Sequence, residues 1–259
     1  CHIGKSHYYT HVGGDHLDKH KPYLNALGWQ DVVETTGPRA TQRCDSAMTD
    51  RWKQRGCLDT FRDDYAARMD AGPLRALWPS PLPAGEHMDD FVGRTACEYV
   101  DRYDGSEPLC LFVGFGGPHE PWDPPEEWAR QYDPDETDPI HPPTDPPEWL
   151  SPPAAEYHGE VNACQVDIED APADAIARIR ALYYAKISHV DYWIGRVIES
   201  FQCRGLWDDT AVVFWSDHGE MLLDKHRLFK GVFFEASARV PMMLRVPGTA
   251  GGAVSCRPT

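Results

Sequence analysis

The sequence predicts an α/β protein with a mostly parallel central sheet flanked by helices. Two stretches, residues 109–115 and 211–215, are apolar throughout. Such runs suit strands buried on both faces, as in parallel sheets, rather than the alternating strands of a half-solvated sheet. Between them, residues 174–201 place Ile176, Ile179, Tyr183, Ile187, Val190, Ile194, Val197 and Phe201 at steps of three and four. That is the pattern of an amphipathic helix about 40 Å long, enough for a crossover between parallel strands.

The remaining elements follow in order. His2, Ile3, Gly4, Lys5, Ser6 and His7 form an extended segment in which Lys5 and His7, two apart, face the same way. Gly4, Lys5 and Ser6 match the last three positions of a phosphate-binding P-loop, but Tyr8, Tyr9 and Thr10 do not open the helix that such a loop requires. His7, His11, His16 and His20 read as solvated loop histidines rather than a second metal site, because Gly13 and Gly14 interrupt the helical spacing. Residues 45–70 carry two short surface helices broken at Gly56, and residues 87–103 a clearer helix with Met88, Phe91, Val92, Ala96, Tyr99 and Val100 toward the core. The strand at 109–115, with a buried thiol at Cys110, ends in Gly116, Gly117, Pro118, His119, Glu120 and Pro121. Two glycines allow close approach there, and prolines on both sides restrict the loop around His119. From 118 to 153 lie twelve of the 23 prolines. Trp122, Trp128, Tyr132 and Trp149 argue for an ordered excursion over the sheet edge rather than a disordered linker. A last strand covers 240–246, and Pro241 places it at an edge or a strand start.

Composition narrows the chemistry. The net charge of −16, from 25 basic and 41 acidic residues, argues against nucleic acid or an anionic membrane as partner. No run approaches the ~20 apolar residues of a membrane span. Eight cysteines without a Cys-x-x-Cys leave the redox compartment open. The chain starts at Cys1 without a secretory signal and stops at Thr259, and is expected to be incomplete at both ends.

Ligands in open α/β sheets bind beyond the carboxyl ends of strands. Three predicted strand ends carry ionisable groups there: Lys5 and His7; His119; and Asp217 and His218. Lys230 follows in the next loop. By itself, Ser216-Asp217-His218-Gly219 also reads as a helix cap. Taken together, an acid and an imidazole for a metal, further imidazoles and two ammonium groups describe a site for a tetrahedral oxyanion.

The same motifs occur in the same order in the sulfatase family of the alkaline-phosphatase superfamily, which the chain resembles from end to end. The matching pieces are Ile3-Gly4-Lys5-Ser6-His7, Gly117-Pro118-His119-Glu120-Pro121-Trp122, Ser216-Asp217-His218-Gly219-Glu220, Lys230-Gly231 and Glu235-Ala236-Ser237-Ala238-Arg239-Val240-Pro241. The resemblance implies one partial catalytic domain of alkaline-phosphatase-like fold over 1–259, with 118–153 as an excursion shaping the active site. It implies a sulfuric-ester hydrolase acting on a small-molecule or glycan sulfate ester. Asp217 and His218 would be two ligands of a divalent cation, usually calcium in sulfatases, with manganese or zinc as alternatives. Lys5 and Lys230 would hold sulfate oxygens. His7 would hydrogen-bond the nucleophile, and His119 would contact sulfate and assist the leaving group. Arg239 would brace the fold.

The departures are specific. Sulfatases carry a cysteine, in Cys-x-Pro-Ser-Arg or close to it, that is oxidised to formylglycine. It stands upstream of the Gly-Lys-x-His motif, as do two further acidic metal ligands, and these are expected before Cys1. Cys256-Arg257-Pro258-Thr259 stands after the metal motif and reads as coincidence. Lys225 is a lesser rival to Lys230, since the loop Leu223-Asp224-Lys225-His226 departs from the family pattern. The alternatives are a phosphonate monoester hydrolase or phosphodiesterase on the same scaffold, and a non-catalytic relative that binds sulfated glycans.

Overall fold

A computed structural model describes residues 1–11, 13–143, 166, 168 and 171–249. It divides into two units, one from residues 1–140 and 167–200, the other from 141–166 and 201–259.

The first unit is built on a three-stranded parallel sheet. Its strands are β1 (His2–Lys5), β2 (Val32–Thr35) and β3 (Phe112–Gly114), in the order β2-β1-β3. Ile3 faces Val33 on one side and Val113 on the other. β1 and β3 approach so closely at Gly4 that an added Cβ would lie 2.1 Å from the Gly114 carbonyl oxygen, and Gly4 has φ +101°. Only glycine satisfies both conditions.

Helices cover this sheet. α1 (Lys21–Ala26) and α2 (Pro38–Thr41) are short. α3 (Ala47–Arg55) starts at a capping box, in which Thr49 Oγ1 accepts the Ser46 amide at 2.7 Å and Ser46 Oγ accepts the Thr49 amide at 3.4 Å. It ends at Gly56 in the left-handed conformation, φ 69°. α4 (Leu58–Ala71) follows at once. The break at Gly56 is as the sequence predicts, but these are not simply surface helices. Met48, Trp52, Phe61 and Tyr65 form a buried cluster with Met88 of α5 (Met88–Arg102). On α5, Met88, Val92, Ala96 and Val100 are buried as the periodicity predicts, while Phe91 and Tyr99 are only partly so. α6 (Glu126–Ala129) and a single 3-10 turn at Pro134–Glu136 give order to the described part of the proline-rich excursion; its residues 144–153 lie outside the described residues.

α7 (Ala175–Cys203) is the long helix. Its buried stripe is Ala175, Ile179, Leu182, Lys186 and His189, whereas Ile187 of the predicted stripe is exposed. The hidden face therefore carries an ammonium and an imidazole that apolar periodicity cannot reveal.

The second unit corrects the sequence reading. β4 (Val212–Trp215) does not lie in the parallel sheet; it pairs antiparallel with β5 (Met242–Arg245), Val213 opposite Leu244 and Trp215 opposite Met242. α7 thus joins strands of two different sheets and is not a crossover within one. The four side chains Val213, Leu244, Trp215 and Met242 share a face and are all exposed, so the apolar run is not buried on both sides. β5 begins directly after Pro241, as a strand-start proline should. β3 is also shorter than the predicted 109–115, which leaves the Cys110 thiol exposed rather than buried. Among the described residues no helix is long and apolar enough to cross a membrane.

Candidate active site

Strand β1 lies between β2 and β3, so the chain steps from β1 to β2 on one side and then crosses back to β3 on the other. At such a reversal a crevice opens at the carboxyl ends of the strands. Lys5 is the last residue of β1, and its ammonium is packed against Gly37, whose hypothetical Cβ would sit 3.5 Å from Nζ. The exposed His7 follows two residues later, and His119 stands five residues past the end of β3.

The segment that carries His7 is organised by Glu34 of β2. This buried carboxylate accepts from Ser6 Oγ at 2.8 Å, from the Tyr9 hydroxyl at 2.5 Å and from His11 Nε2 at 3.2 Å. Burial alone would raise its pKa, but bonds from His11, Tyr9 and Ser6 outweigh that and hold it below the usual carboxylate range. His11 is therefore not solvated, and neither is His16 idle: its Nε2 lies 3.0 Å from Asp50 Oδ2. Both corrections have one cause, since imidazoles in polar loops take carboxylate partners that are distant in sequence.

The loop bearing His119 is gripped from both sides. Asp89 Oδ1, in the first turn of α5, accepts the amides of Gly116 at 2.9 Å and Gly117 at 3.0 Å. Lys186 Nζ, from α7, donates to the carbonyls of His119 at 3.0 Å and Pro121 at 2.9 Å and pairs with Asp123 Oδ1 at 2.9 Å. The Asp123 carboxyl is buried; burial opposes its ionisation, yet Lys186, His87 and Arg68 together keep it well below the ordinary carboxylate range. The peptide bonds Gly117–Pro118 and Glu120–Pro121 are cis. His119 Nδ1 lies 2.7 Å from the Glu120 carbonyl oxygen, which can only accept, so the proton sits on Nδ1 and Nε2 is the basic nitrogen. Glu120 Oε2, 3.0 Å from the same Nδ1, supports that tautomer.

In the second unit, Asp217 and His218 follow β4 without a helix, so the helix-cap reading of Ser216-Asp217-His218-Gly219 does not hold. His218 Nδ1 donates to the Gly219 carbonyl at 2.8 Å, which leaves its Nε2 lone pair 3.7 Å from Asp217 Oδ2. An imidazole whose distal N–H is fixed by a carbonyl, beside a carboxylate oxygen, is how histidine–carboxylate metal ligands are presented. These two residues fit a divalent cation. Their turn is held in place by Gly219, whose amide donates to the Ser237 carbonyl at 2.7 Å near α8 (Glu235–Ala238). Glu220 Oε1 accepts the amides of Leu222 and Phe229, and the Met221 amide reaches the Phe229 carbonyl at 2.9 Å, fixing the residue before Lys230. Lys225 Nζ is committed to the Pro142 carbonyl at 2.9 Å. Five non-glycine residues here, Leu222, Leu223, Lys225, His226 and Phe229, have positive φ, a concentration of unfavourable backbone of the kind found at working sites.

The six candidates thus fall three to each unit. Glu34, Asp89, Asp123 and Lys186, which hold the site segments, went unread in the sequence. For Asp89 the one available signal is an acid in the first turn of a helix, which ordinarily only complements the helix dipole.

Comparison with known proteins shows the family. The family profile described as Sulfatase matches residues 7–256. An arylsulfatase of Clostridium perfringens (strain 13 / Type A) is 32% identical over 163 residues, 62% of this chain and 32% of that protein. A choline-sulfatase of Rhizobium meliloti (strain 1021) is 34% identical over 153 residues, 58% of this chain and 28% of that protein. The chain thus spans about a third of the curated relatives it matches. Among solved structures, a phosphonate monoester hydrolase of Agrobacterium radiobacter superposes with a TM-score of 0.65 at 22% identity, over 95% of this chain and 50% of that one, which establishes the shared fold. With the profile running from the loop after β1 to beyond β5, through both units and every candidate but Lys5, the chain belongs to the sulfatase family.

Proposed function

We propose that the protein containing this chain is a metal-dependent hydrolase of sulfuric esters, and that these residues supply its anion-binding and part of its metal-binding groups. The observation that carries the reading is the Asp217–His218 pair, with Nδ1 of His218 tied to the Gly219 carbonyl and Nε2 turned toward Asp217. When bound, a divalent cation such as calcium polarises a substrate oxygen, and a formylglycine outside these residues is the nucleophile. Lys5 and Lys230 offset charge on the sulfate oxygens. His7, exposed beyond β1, hydrogen-bonds the nucleophile. His119 contacts the sulfate and, once Nε2 has taken up a proton beside the Nδ1–H that Glu120 fixes, delivers that Nε2 proton to the departing alcohol. The described excursion after His119 borders the entrance for the alcohol portion.

The test uses the full-length protein. Hydrolysis of an aryl sulfate should exceed that of matched phosphate and phosphonate monoesters, and mass mapping should find a formylglycine peptide. His218→Ala should weaken the metal at least tenfold, and His119→Ala should lower kcat more for esters of poor leaving groups than of good ones. Preference for the phosphonate ester would move the assignment to the alternative activity on this scaffold. Absence of any ester hydrolysis would leave the sulfated-glycan binder.

A further inference from the structure

Beneath the His119 loop lies a second cluster of metal-ligating side chains, distinct from Asp217 and His218. His87, Asp89 and His189 are all buried, and each offers one ligand atom within 4.8 Å of the others. Each imidazole has one nitrogen spoken for by a carboxylate. His189 Nε2 is 2.7 Å from Asp90 Oδ1, and His87 Nε2 faces Asp123 Oδ1 at 3.8 Å. The opposite nitrogens are both Nδ1. His87 Nδ1 lies 3.5 Å from Asp89 Oδ2, close to the edge of a tetrahedron of ligands at about 2.1 Å from a zinc ion. Among the described residues, His189 Nδ1 and Asp89 Oδ2 have no hydrogen-bond partner, although the side chains are 1% and 0% exposed. The competitor for His87 Nδ1 is the Asp89 amide, at a long 3.3 Å.

Unpaired buried acceptors are costly. With His189 donating its Nε2 proton to Asp90 and His87 carrying its proton on the Nε2 that faces Asp123 at 3.8 Å, each Nδ1 holds a lone pair, and Asp89 Oδ2 adds a third acceptor with no donor among the described residues. Charge points the same way. Asp89, Asp90 and Asp123 bring three negative charges, and among the described residues Lys186 is the one lysine or arginine in an ion pair with them. Arg68 also acts on Asp123 but is itself paired with Asp64, so the carboxylates still outnumber the cations that offset them, and a divalent cation would reduce that excess. Imidazoles backed by carboxylates on their far nitrogens are the usual outer shell of such sites.

We propose that His87, Asp89 and His189 form a structural site for a divalent transition cation, of the zinc class rather than the calcium class because two of three ligands are imidazoles. The ion would tie α5 to α7 and, through Asp89 Oδ1 on the Gly116 and Gly117 amides, brace the loop that carries His119. The proposal does not depend on the hydrolase assignment.

The test is metal content of the untagged full-length protein, expressed in zinc-supplemented medium and measured by inductively coupled plasma mass spectrometry. It is made in a D217N/H218Q background to remove the other site. About one equivalent of zinc that survives dialysis, and falls at least tenfold on adding His189→Ala, supports the site. No zinc above background, or zinc unchanged by His189→Ala, overturns it in favour of a buried water or a protonated imidazole. If His189→Ala does not fold, X-ray absorption of the zinc-loaded D217N/H218Q protein decides: two imidazole ligands at about 2.0 Å support the site, and a shell without them overturns it.

Discussion

Replacing Lys186 by methionine removes the ammonium that bonds the His119 and Pro121 carbonyls while keeping the length of the side chain. Lys186 is 1% exposed and its partner Asp123 is 7% exposed, so water cannot take over the bonds that are lost. Deleting one partner of a buried pair costs about 3–5 kcal/mol because a charge is left uncompensated. Two orphaned carbonyls, of His119 and Pro121, push toward the upper end. The nearby His87 Nε2, 3.8 Å from Asp123, pulls toward the lower end. At about 2–4 °C per kcal/mol for a chain of this size, the melting temperature should fall by roughly 6–20 °C. Urea denaturation of Lys186→Met, Asp123→Leu and the double variant separates the terms. The double variant should recover at least about 2 kcal/mol relative to Lys186→Met, since removing both charges leaves no uncompensated buried charge, although the two carbonyls stay without their ammonium. If Lys186→Met lies within about 1 kcal/mol of the parent, the pair behaves like a surface ion pair and the account of the loop is wrong.

Other expectations follow from the same contacts. His2 is fully buried, stacked on Phe112 at 5.0 Å, and neither ring nitrogen has a hydrogen-bond partner among the described residues. Burial depresses its pKa below the ordinary 6.5, against the pull of Glu34. The folded chain therefore binds this proton less readily than the unfolded one. Its contribution is full above about pH 6.5 and declines as the pH falls, by up to about 1.4 kcal/mol per pH unit. Denaturation between about pH 5 and 7 should show that slope, and His2→Phe should flatten it; equal slopes would contradict the assignment. Glu34, held low by His11, Tyr9 and Ser6, acts in a lower window: its stabilisation is present above the unfolded carboxyl pKa of 4.5 and is lost as the pH falls through the depressed folded value. Acid unfolding of Glu34→Gln should lack that component. In the second unit, a Cβ on Gly219 would lie 2.0 Å from the Ala236 carbonyl oxygen, so Gly219→Ala must displace the turn. A loss of about 1–3 kcal/mol or more is expected, together with weaker metal binding at Asp217 and His218 by calorimetry; undiminished metal affinity would show that the turn does not set the ligand geometry.

What the sequence shows and what it hides differ by kind of interaction. The candidate loops were legible because their signals are local: glycines and prolines around His119, and an acid beside an imidazole at the end of an apolar run before Gly219. The helices at 47–55, 58–71 and 88–102 were legible because capping and periodicity act within a few residues. The sheet assignment of residues 212–215 was not, because an apolar run states that burial is tolerated and not which strand pairs with it; Val213 and Trp215 share an exposed face with Leu244 and Met242. The buried stripe of α7 was misplaced for a related reason. Periodicity scores hydrophobicity, and the true stripe contains Lys186 and His189, whose burial is favourable only because Asp123, Asp90 and two carbonyls wait some sixty to a hundred residues earlier in the chain.

That long reach bears on function. Prolines restrict the backbone of this loop, but they donate no hydrogen bond and so leave it few ways to anchor itself. Here the anchoring is supplied from outside: a carboxylate on α5 takes the amides of Gly116 and Gly117, and an ammonium on α7 takes the carbonyls of His119 and Pro121. The two anchors have opposite charge and come from different helices, so a shift of α5 against α7 would move one side of the loop relative to the other. His119 Nε2 can only be aimed as well as those helices are fixed. His189, on α7, closes on Asp90, of α5, and that bond makes the spacing of the two helices part of the geometry of the candidate site.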